Sequence, residues 1–139
     1  MEDKNNVLYL PFDESDGSTV AQDYSKSKKN ATVTKCHFVG GKIGKAIEFD
    51  GNGHADIANS GLSLAGDFTI MAWVCAKEPE RGGDGLMDFY FQWGKGVEEF
   101  TNKQYASPSD VWTHWAVVNK DKSITIYKDG VVCDTLSVP

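Results

Sequence analysis

Closely spaced glycines mark the segment GKIGKAIEFDGNGHADI, residues 41–57, and glycine-rich turns of this kind can hold a phosphate group. Such a cradle needs a strand before the glycines and a helix after them, so that the helix N-terminus faces the anion. Here Gly51-Asn52-Gly53 separates two runs with strand character, Lys45 to Phe49 and His54 to Ala58, and no GxxxxGK[ST] pattern occurs. We therefore predict two short strands around a tight turn, and no nucleotide site.

Polar residues that could bind a sugar alternate along Met87 to Trp93. Asp88, Tyr90 and Gln92 alternate with large apolar residues, which predicts a strand with one buried and one solvated face. Sugar recognition needs an aromatic ring against the apolar face of the sugar and polar groups for its hydroxyls. These three residues are the predicted ligand-binding strip. The alternative is an ordinary solvated sheet face.

Several aspartates lie near glycine or serine and could supply oxygen ligands to calcium, namely Asp13, Asp16, Asp23, Asp50 and Asp56. Calcium takes six to eight oxygens, commonly from loops, but these residues do not have the spacing of an EF-hand. Asp23 and Asp50 are the first metal candidates. The alternative is that they stabilise turns, which is the commoner role of aspartate in loops.

The elements that would position these residues are strands, because no window of the chain has clear helical periodicity. Val7 to Phe12 places Leu8, Leu10 and Phe12 on one face. Asp67 to Ala76 is apolar on both faces, which predicts a central strand.

The C-terminal third predicts a three-stranded meander, with strands at Val111 to Val118, Ser123 to Tyr127 and Val131 to Val138. Asp129-Gly130 is its stronger turn, since both residues tolerate positive φ. Some ten short strands in all predict one all-β domain over residues 1–139, an antiparallel sandwich of two sheets.

Composition excludes several classes of partner. The 139 residues carry a formal net charge of −6, and the one basic cluster, Lys26, Lys28 and Lys29, is expected to be a solvated loop, so nucleic acid is not an expected partner. No window approaches the about 18 apolar residues of a membrane span, and the N-terminus MEDKNN does not resemble a signal peptide. We expect a cytoplasmic protein, a virion component or a surface module of a longer exported chain. The three cysteines are expected to be buried free thiols, with one disulfide as the alternative.

Four segments carry a family resemblance: NVLYLPFDE, GKIGKAIEFDGNGHADI, LAGDFTIMAWV and VWTHWAVVNKDKSITIYKDGV. In order and spacing, over nearly the whole chain, they resemble laminin-G-like domains of the concanavalin A-like lectin/glucanase superfamily. The resemblance implies a jelly-roll of two curved sheets that binds sugars or proteins, often with calcium.

Two features depart from the family pattern. The usual final strand, G-x-I-D-D-V-R-I-Y, does not appear. We therefore expect a partner chain, another copy or a following segment to complete the sheet. The stretch between Ala76 and Val111 is also short, which disfavours a deep cleft.

The endoglucanase branch of this superfamily uses two carboxyl groups in an E-x-D-x-x-E or E-x-D-x-E pattern. Here Glu48-Phe49-Asp50 begins the pattern, but glycine and asparagine occupy the following positions. Adjacent Glu98 and Glu99 would point to opposite faces of a strand. No serine lies in a nucleophile elbow, and His37, His54 and His114 lie in separate elements. We predict that the protein is not an enzyme. We expect His114 to be a packed core or sheet residue and most of the tryptophans to lie in the core.

Three hypotheses about function follow. The first is a non-catalytic, lectin-like recognition module that binds carbohydrate or protein at a surface. The second is a structural subunit of a virion or surface assembly, which oligomerises through an open sheet edge. The third is a degenerate glycoside hydrolase.

Overall fold

The computed structural model describes residues 5–58, 61–62, 66–77, 89–93, 96–100 and 108–137. Within these ranges the secondary structure is all β, with antiparallel strand pairing and no helix, so none is present that could span a membrane. The predicted all-β class is confirmed. The described strands are β1 Val20–Ala21, β2 Ala31–Gly40, β3 Lys45–Asp56, β4 Phe68–Cys75, β5 Phe89–Trp93, β6 Gly96–Phe100, β7 Trp112–Lys120, β8 Ser123–Lys128 and β9 Val131–Ser137.

The chain divides into two compact units, Met1–Ser63 and Leu64–Pro139. The first unit contains a three-stranded antiparallel sheet in the order β1-β2-β3. Strand β2 supplies most of its core through four alternating residues, Ala31, Val33, Cys36 and Phe38. The alternation shifts by one residue at Lys35, which has a φ of 51°. This shift keeps both halves of β2 apolar on the same face.

The glycine-rich segment forms part of one strand, so the predicted tight turn between two strands is wrong. Cys36 pairs with Phe49 and Thr34 pairs with His54, so Lys35 of β2 stands opposite the four residues 50–53 of β3. This bulge replaces the turn because both runs pair with β2. A Cβ atom on Gly53 would overlap the carbonyl oxygen of Lys35 and the sulfur of Cys36, which explains glycine at this position. The glycines are followed directly by the end of the same strand, residues 54–56, and not by the start of a helix, as predicted.

The N-terminal run Val7 to Phe12 is not a strand of the described sheets, contrary to the sequence prediction. Its backbone bonds to a loop: the Tyr9 N–H donates to the carboxylate of Asp23 at 2.9 Å, and the Tyr24 N–H donates to the Tyr9 carbonyl at 2.9 Å. These bonds satisfy the backbone without a ladder. Phe12 then takes a φ of 61° and ends the extended run.

The second unit contains a four-stranded antiparallel sheet in the order β4-β7-β8-β9, and β5 pairs with β6 in a separate hairpin. The last three strands of the four-stranded sheet confirm the predicted meander. Asp129 and Gly130 join β8 to β9 with φ values of 50° and 81°, the conformation of a type I′ turn. Among the described strands β4 pairs with β7 alone, so β4 lies at an edge and not, as predicted, at the centre.

The three cysteines are free; Cys36 is buried, and Cys75 and Cys133 are half-buried. Cys75 and Cys133 lie in the two outer strands of the four-stranded sheet. Three strand spacings separate these strands, about 14 Å. Since a disulfide needs Cα atoms within about 7 Å, these two thiols cannot pair within one chain.

Candidate functional site

The structure does not describe the side chains of the predicted ligand-binding strip, Asp88, Tyr90 and Gln92. Asp88 lies outside the described residues. Tyr90 and Gln92 lie in β5, opposite Glu99 and Val97 of β6. The strip therefore stays a prediction.

Asp23, the first metal candidate, is the centre of a hydrogen-bonded loop and is 3% exposed. Its Oδ1 accepts the backbone N–H groups of Tyr9 at 2.9 Å and Ser25 at 2.8 Å. Its Oδ2 accepts the Lys29 N–H and the Ser25 hydroxyl, both at 2.8 Å. Burial opposes ionisation, but these donors outweigh it and lower the pKa of Asp23 to about 2. The carboxylate thus ties the N-terminal segment to the loop between β1 and β2.

This depressed pKa predicts a loss of stability in acid. The carboxyl has a pKa of 3.8 when unperturbed and of about 2 in the folded protein. Its stabilising contribution is therefore complete above the unfolded pKa and disappears as the pH falls through the folded pKa. The difference corresponds to about 2.5 kcal/mol. Urea unfolding between about pH 6 and about pH 2 measures it. An Asp23→Asn variant should lose less stability over this interval, and equal losses in the two proteins would contradict the assignment.

Asp50, the second metal candidate, is an exposed residue of the β3 bulge. Its Oδ1 accepts the Asn52 N–H at 2.9 Å, and this backbone bond is the main cause of its lowered pKa. The described residues contain no group of three or more His, Cys, Asp or Glu side chains that could hold a metal. Both carboxylates have geometry that stabilises loops, and calcium binding at Asp23 and Asp50 stays a prediction.

Two histidine–aspartate pairs lie on the sheet of the first unit. His37 Nδ1 is 3.2 Å from Asp16 Oδ1, and His54 Nε2 is 3.2 Å from Asp56 Oδ2. All four side chains are mostly exposed, so each pair contributes little to stability. Asp16 also accepts the Phe38 N–H at 3.1 Å, which lowers its pKa and attaches its loop to β2.

A different surface concentrates aromatic side chains, on one side of the four-stranded sheet. Because successive residues of a strand point to opposite faces, the strand register determines which residues share this side. Trp73 pairs with His114, and Met71 pairs with Ala116, which in turn pairs with Tyr127. Tyr127 pairs with Val132 at the far strand. We call this surface the aromatic face; its residues are Met71, Trp73, His114, Ala116, Tyr127 and Val132.

The aromatic face is accessible although its residues are mostly apolar. Trp73 is 42% exposed and Met71 is 62% exposed, while His114 and Tyr127 are half-buried. On the opposite side of the same sheet, Trp115, Val117, Ile124 and Ile126 are buried. Strands β7 and β8 therefore define a buried side and an open side, and the open side carries the aromatic rings. On β4 both sides are accessible, since Ile70, which pairs with Val117, is 45% exposed.

Two sets of contacts hold Trp73 and His114 in place on this face. The rings of Trp73 and His114 meet edge-to-face, with centroids 5.1 Å apart and an interplanar angle of 64°. Asp129 fixes the backbone of His114, since its Oδ1 accepts the His114 N–H at 2.9 Å and its own N–H donates to the His114 carbonyl at 2.8 Å. An indole that is both accessible and packed against a neighbouring ring is a suitable platform for a ligand with an apolar face.

Sequence reasoning missed this surface because it expected most of the tryptophans in the core and His114 only as a packed core or sheet residue. The available signal was the alternation in two segments that pair: Met71, Trp73 and Cys75 share one side of β4, and His114 and Ala116 share one side of β7. The strand register determines which residues of β7 lie beside those of β4, and neither segment alone specifies that register.

Comparisons of this chain with family models, with curated proteins and with solved structures found no match.

Proposed function

We propose that the protein is a non-catalytic recognition module and that it binds carbohydrate through the aromatic face. The observation that carries the proposal is the exposed indole of Trp73, which meets the His114 ring edge-to-face on the open side of the four-stranded sheet. The C–H groups of a pyranose ring carry partial positive charge and are attracted to the electron-rich face of an indole.

The polar groups that share the face with the indole match the hydroxyls of a sugar. His114 contributes ring nitrogens and Tyr127 contributes a phenolic hydroxyl, each of which can donate or accept a hydrogen bond. The six residues of the aromatic face include no carboxylate, lysine or arginine, which favours a neutral sugar over a charged one. The resemblance of the quoted segments to laminin-G-like domains also supports a recognition role. A protein ligand on the same face is the alternative form of this hypothesis.

The test is a glycan array with the full chain, followed by titration of any glycan that binds. We expect Trp73→Ala to weaken binding by about tenfold or more, because the stacking surface is lost. Tyr9→Ala is the matched control, since Tyr9 is an aromatic residue of the first unit with 52% exposure. Its backbone N–H, which bonds to Asp23, is retained in the variant. Circular dichroism establishes that both variants are folded.

Each outcome of this experiment has a defined meaning. If the wild-type protein binds no glycan in calcium or in EDTA, the carbohydrate proposal is wrong. If glycan binds and the two variants lose affinity equally, the aromatic face is not the site. Binding that requires calcium would support the calcium hypothesis and direct attention to Asp23 and Asp50.

A structural subunit that assembles through a sheet edge is the second candidate. The observation that favours it is that β4 and β9, the outer strands of the four-stranded sheet, each have one hydrogen-bonded neighbour among the described strands. Such edges recruit further strands. A stable oligomer without glycan binding would favour this candidate over the first.

A further inference from the structure

Strand β4 is an outer strand of the four-stranded sheet as far as the structure describes it, and it lacks the features that usually protect such a strand. Among the described strands it pairs with β7 alone. Its eight residues, FTIMAWVC, include no charged residue, no proline and no glycine, and Ile70, Met71 and Trp73 are exposed. Natural edge strands are normally short, charged, bulged or interrupted by proline, because free N–H and C=O groups attract another strand. An open, uncharged strand of this length is therefore a candidate interface.

The other outer strands of the two larger sheets do carry such protection. β1 has two residues. β3 contains Lys45, Glu48 and Asp50 and is bulged opposite Lys35. β9 contains Asp134, and its pairing with β8 shifts register. Of these edges, β4 is the one best suited to pair with another strand.

We propose that β4 pairs with β4 of a second copy of this chain, antiparallel, about a two-fold axis at Ala72. Ala72 then lies opposite itself. The other cross-strand pairs are Met71 with Trp73, Ile70 with Val74 and Thr69 with Cys75.

The strand fits a second copy of itself for two reasons. In this register, opposed residues lie an even number of positions apart along the strand, so they belong to the same side of β4. The open side of one sheet therefore continues into the open side of the other, and the opposite sides are continuous in the same way. No like charges meet across the pair, although the chain as a whole carries a net charge of −6. The pairing of Met71 with Trp73 adds a favourable contact between sulfur and an aromatic ring.

The joined sheet has the strand order β9-β8-β7-β4-β4-β7-β8-β9 and places two aromatic faces side by side. Each copy contributes a single strand and its side chains, which is smaller than the interface of an obligate dimer, so the association is reversible and depends on concentration. The inference does not require carbohydrate binding. It specifies which edge the assembly candidate uses.

Sedimentation equilibrium of the full chain over a series of concentrations tests the inference. The wild-type protein forms a dimer, and Ile70→Lys weakens self-association by about tenfold or more, because it adds two charges of the same sign to the interface. Val131→Lys is the matched control: it adds the same charge to an exposed apolar position of another edge strand, β9, and leaves the dimer unchanged.

A cross-link tests the register and does not depend on how Ile70→Lys folds. Directly opposed residues have Cβ atoms about 5 Å apart, close to disulfide distance. Thr69→Cys therefore forms a covalent dimer with native Cys75 of the second copy under mild oxidation with copper phenanthroline. The double variant Thr69→Cys with Cys75→Ser does not.

Four results would overturn the inference. They are a wild-type monomer at every concentration, a dimer that Ile70→Lys leaves intact, a dimer that Val131→Lys weakens as much, and a cross-link that forms without Cys75. In the first case, protection of the β4 amides from hydrogen exchange would show that another segment of the chain covers this edge. A monomeric Ile70→Lys variant that still binds glycan would separate this inference from the proposed carbohydrate site.

Discussion

Replacing Asp23 by alanine is expected to lower the free energy of unfolding by about 4 kcal/mol, a large part of the stability of a domain this size. The substitution removes the acceptor of four hydrogen bonds, three from backbone N–H groups. Because the site is 3% exposed, water cannot easily replace the carboxylate, and the donors would be left without a partner. Urea unfolding followed by circular dichroism near neutral pH measures the loss.

Asp16→Ala provides the matched control for Asp23. Asp16 is also a loop aspartate that accepts a backbone N–H, that of Phe38 at 3.1 Å, but its side chain is 59% exposed. Water can therefore replace its carboxylate, and we expect a cost below about 1 kcal/mol. If the two substitutions cost the same, the buried network does not hold the loop.

Replacing Trp115 by alanine is expected to lower the free energy of unfolding by about 3 to 5 kcal/mol. Trp115 is 2% exposed and pairs with Ala72 of β4 and Lys128 of β8. The Lys128 ammonium lies 5.6 Å from the centroid of its ring, which adds a cation–π contact. Truncation would remove the cation–π contact and leave a cavity on the buried side of the sheet. Chemical unfolding followed by far-ultraviolet circular dichroism measures the change without relying on tryptophan fluorescence.

Trp73→Ala is the control for Trp115, because the two tryptophans lie in adjacent strands of the same sheet but on opposite sides. Trp73 is 42% exposed, so we expect its truncation to cost about 1 to 2 kcal/mol. Equal costs would mean that both sides of this sheet are equally buried in solution. That result would also weaken the case for the aromatic face as a binding surface.

The meander of the second unit could be predicted from the sequence because its signals are local. Alternation in β7, β8 and β9 and the residues Asp129-Gly130 predict the meander without knowledge of distant contacts. The β4 strand was likewise predicted within one or two residues of its ends. The position of β4 at the edge of the sheet was not predicted. Apolar residues on both faces indicate that a strand is covered on both faces, but they do not indicate how many strands are hydrogen-bonded to it.

The first unit was less predictable because its structure depends on long-range pairing. Gly51-Asn52-Gly53 has the composition of a hairpin turn, yet it forms a bulge because residues on both sides of it pair with β2. Val7 to Phe12 has the alternation of a strand, yet its backbone bonds to Asp23 and Tyr24. The hydrogen bonds of Asp23 also depend on distant residues. Its residue type suggests a calcium ligand, but the donors that surround its carboxylate come from separate parts of the chain and could not be predicted from the sequence near Asp23.

The bulge in β3 makes this strand a suitable location for protein engineering. Its two halves hold their own partners in β2, residues 45–49 with 36–40 and residues 54–56 with 32–34. The backbone between them already departs from the ladder, and a Cβ atom at Gly51 would meet no neighbour within 4 Å. An epitope tag or a fluorophore attachment sequence grafted between Gly51 and Asn52 would therefore extend into solvent while the sheet stays paired.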